Sequence, residues 1–155
     1  MNSNDVEKGT ALWATYQTAR SDYEIAEYEL AGAVDTADCG VELDTSGYYK
    51  RSERTFKKRQ VALEEFRAFC SETYGDIGLA MLDEFLEATT ALKDAYSTAH
   101  WREREYRQNF VRYYGDKRLE KMSRKIDQAT QALSLANERL ERARTALDNL
   151  TAGVS

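Results

Sequence analysis

The chain has 155 residues, no proline and a formal net charge of −5, with 32% charged and 42% hydrophobic residues. That balance suits a single globular domain long enough to bury a core, and its acidity weighs against a domain built as a whole to grip nucleic acid. Average proline usage of about 5% would give roughly eight; without any, helices can run long, because nothing removes an i to i−4 bond or forces an extended residue. The first residues, MNSNDVEKGTALW, lack the basic stretch and apolar run of a secretory leader. Apolar runs such as 79–82 are far too short to span a bilayer. Cytoplasm is the expected compartment.

In chain order, a first helix is expected over 4–34. Its apolar stripe is Val6, Trp13, Tyr16, Ala19, Tyr23, Ala26, Leu30 and Ala33, spaced for one face. Residues 35–47 read DTADCGVELDTSG, with four acids, two glycines and no helical stripe, and are expected to form an acidic loop. A second helix is expected over 46–74, on a stripe of Tyr49, Phe56, Gln60, Leu63, Phe66 and Cys70. Gly75 is placed to end it, and Asp76 to cap a third helix over 77–113. That helix carries Met81, Phe85, Ala88, Leu92, Ala95 and Ala99, then Arg102, Tyr106, Asn109 and Tyr113. Gly115 and Asp116 repeat the punctuation, and a fourth helix follows over 116–151.

The fourth helix has the clearest pattern. Leu119, Met122, Ile126, Ala129, Leu133, Ala136, Leu140, Ala143, Leu147 and Leu150 recur in alternating steps of three and four. This is a heptad seam, with Ala at most of the second sites allowing close approach of another helix. The expected fold is all-α: an elongated antiparallel bundle of about four long helices with a coiled-coil-like C-terminal helix, in one domain over 1–155.

Tyr74-Gly75-Asp76 and Tyr114-Gly115-Asp116 are forty residues apart, and each follows an acid–aromatic–Arg triplet by the same interval. With two copies and sparse similarity elsewhere, the pair reads as the same turn chemistry used twice rather than as a repeat architecture.

Charge alternates along the chain: −8 over 1–48, +5 over 49–59, −6 over 60–101, +5 over 102–125 and −1 over 126–155. The alternation favours helices packed beside neighbours of opposite sign. In the expected bundle both basic segments reach one end, beside the acidic loop.

Chemistry-bearing motifs are sparse. Cys39 and Cys70 do not form a CxxC and have one histidine, His100, to join them, so neither a zinc site nor a familiar disulfide framework is expected. Ser97-Thr98-Ala99-His100 lacks the Glu-x-x-His of di-iron bundles. No glycine-rich phosphate loop is present. No metal, no cofactor and no catalysis are expected.

The strongest signal is the interleaving of arginines and rings in HWREREYRQNFVRYYGDKRLEKMSRK. Trp101, Arg102, Arg104, Tyr106, Arg107, Arg112, Tyr113, Lys117 and Arg118 are the interaction candidates there, joined by Lys50, Arg51, Lys57 and Lys58 from the second helix. Such residues anchor protein interfaces; they also suit phosphates and exposed bases; and Asp35, Asp38, Glu42, Asp44 and the first helix can neutralise them internally. The expected function is a non-enzymatic binding protein acting through helical surfaces on a protein partner, an inhibitor or adaptor of the accessory kind encoded by phages and plasmids. The alternative is a nucleic-acid-associated protein using 50–59 and 102–125. A structural protein that self-assembles through the seam is third.

Overall fold

The computed structural model describes residues 3–153. It contains three α-helices, and no strand among the described residues: α1 over Ser3–Asp38, α2 over Ser46–Asn109 and α3 over Lys117–Ala152. The all-α class holds. The expected count of four helices does not: the second and third helices form one element of 64 residues, interrupted only where Gly75 leaves helical geometry at φ 59°, ψ −142°. Helical bonding resumes at once, so no loop separates the two halves. The interruption is nevertheless sharp. A Cβ at position 78 would stand 2.9 Å from the Cys70 carbonyl oxygen, whereas a straight helix holds residues eight apart at about 12 Å.

The connections also differ from expectation. α1 runs four residues beyond 34, because Ala37 continues the stripe through Ala33. It closes with Cys39 N–H donating to Asp35 O at 3.2 Å and Gly40 N–H to Ala37 O at 3.0 Å. The acidic connection is therefore 39–45 rather than 35–47. Asp44 Oδ1 then accepts from Ser46 N–H at 2.9 Å and caps α2, which holds its carboxyl below the usual range. At the other end α2 stops at Asn109 rather than 113.

The chain packs as two compact units. One comprises the residues up to Leu79 together with those from Asp148 on; the other is Ala80–Leu147. In the first, α1 lies antiparallel to the start of α2, since partners descend along α1 as they rise along α2: Glu29 with Arg51, Tyr23 with Phe56, Trp13 with Phe66. Trp13, Tyr16, Ala26 and Ala33 are buried with Ala62, Phe66, Phe69 and Cys70. Burial of each large side chain contributes about 1.5–3 kcal/mol. The end of α3 closes this unit. Trp13 Nε1–H donates to Asp148 Oδ1 at 2.5 Å, Tyr74 OH to Leu150 O at 3.1 Å and Thr10 Oγ1 to Thr151 O at 3.4 Å.

The expected stripe at the start of α2 is out of register. Tyr49 and Phe56 are 55% and 39% exposed, and Ser52 and Thr55 are buried in their place. Both hydroxyls are satisfied: Ser52 Oγ donates to Glu27, and Thr55 Oγ1 bonds the Arg51 and Ser52 carbonyls. Small satisfied side chains let α1 come close, at the cost of leaving the rings outside.

In the second unit α2 and α3 form an antiparallel hairpin. Arg139 of α3 grips Glu84 with two bonds of 2.7 Å and Glu87 with one of 3.2 Å. The stripe expected between Met81 and Tyr113 is buried or half-buried at every position, and Leu82 joins it at full burial. All ten seam positions of α3 are likewise buried or half-buried, while Leu135, off the seam, is 57% exposed.

Candidate interaction site

The thirteen candidates divide between the units. Lys50, Arg51, Lys57 and Lys58 belong to the first, and the nine residues from Trp101 to Arg118 to the second. Within the first unit Arg51 pairs with Glu29 of α1, and Lys57 with Glu53 of its own helix at 2.7 Å. Lys50 and Lys58 are exposed, with no carboxylate in ion-pair range among the described residues.

In the second unit the site is built on the turn between α2 and α3. Asn109 ends the helix, its side chain donating to Glu105 O at 2.8 Å. Tyr113 N–H reaches back to Asn109 O at 3.0 Å and Asp116 N–H to Tyr113 O at 2.9 Å. Gly115, at φ 79°, makes the reversal. Asp116 Oδ1 accepts from Arg118 N–H at 2.8 Å and starts α3.

This backbone lines up a ladder of rings. Tyr106 and Phe110 have centroids 5.7 Å apart, and Phe110 and Tyr114 5.6 Å. Tyr106 is half-buried at the foot of the ladder, beside a cleft of 420 Å³ that Leu119, Glu120, Ser123 and Arg124 also line. The top is open: Phe110 is 41% exposed, Tyr114 79% and Val111 89%. Tyr113 receives two guanidinium groups, Arg118 at 4.9 Å and Arg112 at 5.4 Å from its centroid. Four residues before the ladder, Arg102 lies 4.5 Å over exposed Trp101 and pairs with Glu105 at 3.1 Å.

Neutralisation inside this region is partial. Arg102, Arg107 and Arg118 have carboxylate partners in Glu105, Glu103 and Asp116. Arg104, Arg112 and Lys117 have none among the described residues. The arrangement can therefore offer pre-positioned rings together with unspent positive charge. Phe110, Val111 and Tyr114 belong to the site although they are absent from the candidate set. The aromatic run signals Phe110 and Tyr114 but not Val111, and it does not show that α2 stops before all three and leaves them outside.

His100 is exposed, and no group of three His, Cys, Asp or Glu side chains converges as a metal cluster among the described residues. Both cysteines are free: Cys39 is exposed and Cys70 buried. No described helix is long and apolar enough to cross a membrane. No family model, curated protein or solved structure matches the chain.

Proposed function

We propose that this is a non-enzymatic binding protein of the cytoplasm that engages another protein, as an inhibitor or adaptor, through residues 101–118. One observation carries the reading: Tyr106, Phe110 and Tyr114 form a ladder, the first pair tilted and the second edge to face, whose top is open to solvent. Tyrosines and arginines fixed in place lose little side-chain freedom on docking, which is why they dominate interface energetics. Tilted and edge-on rings suit insertion between the side chains of a partner better than they suit the flat stacking of bases.

The competing reading is nucleic acid, favoured by Arg104, Arg112 and Lys117, which have no carboxylate partner among the described residues. The two separate on salt. Phosphate binding releases counterions, so log affinity falls against log salt by about 0.9 per neutralised phosphate on duplex DNA and about 0.7 on single strands. The expected result is no duplex or single-strand binding at about 0.15 M salt, together with a protein captured from the native host by wild-type chain and lost with Tyr114→Ala or Arg112→Ala. Micromolar DNA binding that weakens on this slope, and that Arg104→Glu and Lys117→Glu each flatten by nearly one unit, would put the nucleic-acid reading first.

A further inference from the structure

The first unit has a second surface, separate from residues 101–118. An open groove of about 940 Å³ runs between α1 and the start of α2. Ala14, Ala19, Val61 and Ala62 form its apolar floor, and Val61 is 55% exposed there. Small side chains on both walls allow a third helix to approach at the 8–10 Å typical of packed helices.

The α2 rim carries the charge. Lys50, Arg54 and Lys58 line the groove four residues apart, in one row about 12 Å long. None of the three has a carboxylate in ion-pair range among the described residues. The basic residues lining the groove outnumber its acids, four to three. Glu53 is committed to Lys57 at 2.7 Å, and that ammonium holds its carboxyl below the usual range. Asp22 stands on the α1 rim, and Glu65 lies seven residues beyond Lys58, about 10 Å further along the helix.

We propose that this groove seats an amphipathic helix of a protein partner. The helix sets small apolar residues on the floor and acidic residues, at i, i+4 and i+8, against Lys50, Arg54 and Lys58. A second copy of this chain is the poorer occupant. In a two-fold interface the residues nearest the axis meet their own counterparts, and the middle of the α2 rim is Lys57 and Lys58, like charge on like.

The test uses the full chain and a fluorescent helical peptide of about six turns, with an Ala/Leu face flanked by Glu at i, i+4 and i+8. The control is the same peptide with Lys for Glu. Anisotropy should give the Glu peptide at least about tenfold tighter binding than the Lys peptide. Arg54→Glu and Lys58→Glu should each weaken it severalfold, and Lys58→Gln less. Thr18→Trp, an exposed position whose ring would fill the groove, should abolish binding with the helical circular dichroism unchanged. Tyr114→Ala and Arg112→Ala should leave peptide binding intact, so this site stands or falls independently of the 101–118 end. Equal affinity for the two peptides, or no binding by either, overturns the proposal. So does a dimer in sedimentation equilibrium that Thr18→Trp dissolves, or DNA binding lost with the Arg54 and Lys58 variants.

Discussion

Tyr74-Gly75-Asp76 and Tyr114-Gly115-Asp116 are the same three residues, each with glycine at positive φ, and they do different things. At 115 the chain leaves helix five residues early, runs through an exposed turn and starts a new helix on an Asp116 cap. At 75 one residue leaves helical geometry and helix resumes immediately. The difference lies three residues after each glycine. Position 78 is glycine, and it sits against the Cys70 carbonyl oxygen and Tyr74 Cβ at distances that no side chain tolerates. Position 118 is arginine, whose guanidinium instead lies over Tyr113. Upstream anchoring differs too: Cys70 is fully buried and Tyr74 is tied to Leu150 O, whereas Tyr114 is 79% exposed. Cap residues thus specify that a helix is interrupted; the room available on the far side decides whether the interruption is a kink or a loop.

Exchanging the two downstream residues is the strongest test of that comparison. Gly78→Arg should destabilise by about 3 kcal/mol, the upper end for overpacking, because the clash is with backbone that cannot swing away. Arg118→Gly should cost no more than about 1 kcal/mol, the helix-propensity penalty of glycine. Denaturant melts of both variants measure this, and equal costs would break the explanation.

The buried thiol beside the kink sharpens it further. Burial pushes Cys70 up to about 11 from an ordinary 9. The folded chain therefore holds this proton more tightly than the unfolded one. Its contribution is intact below pH 9 and is lost as pH rises from 9 to about 11. Wild type should lose more stability over that window than Cys70→Ala does. Thiol labelling near neutral pH should modify exposed Cys39 at once, and Cys70 only on opening. Gly78→Ala should speed the slow phase if the kink and the thiol are coupled.

The smallest effect separates the caps. Asp116→Ala should cost about 1 kcal/mol, as loss of an N-cap does. Asp76→Ala should stay within about 0.5 kcal/mol, as at other exposed sites, since helix resumes directly after Gly75 without needing a cap. Thermal melts of the pair report the difference directly.

What the sequence revealed followed from periodicity. The α3 seam and the stripe from Met81 to Tyr113 are buried or half-buried where their spacing puts them, because one long face leaves a single register. Periodicity misled at the start of α2. There Tyr49 and Phe56 fitted a stripe, but the buried residues are Ser52 and Thr55, whose bonds to Glu27 and to local carbonyls replace apolar contact. Hydropathy has no means of scoring a satisfied hydroxyl as core. The arginine–aromatic signal of the 101–118 site was visible in the residues. Its exposed half was not, since that depends on α2 ending at Asn109. The groove of the first unit was half visible: Lys50, Arg54 and Lys58 can be read off one helix, but the α1 side that makes a floor beneath them cannot.

A ribosome delivers Trp13 long before Asp148, the carboxylate that accepts its indole N–H. Until that residue and Thr151 emerge, the hairpin of α1 and early α2 lacks its closing segment. Contacts so distant along the chain carry a loop-closure cost that local ones escape, and they slow folding. The second unit has no such debt, being continuous from Ala80 to Leu147. Synthesis therefore completes this protein out of numerical order, with the middle able to settle while the beginning still waits for residues near the end.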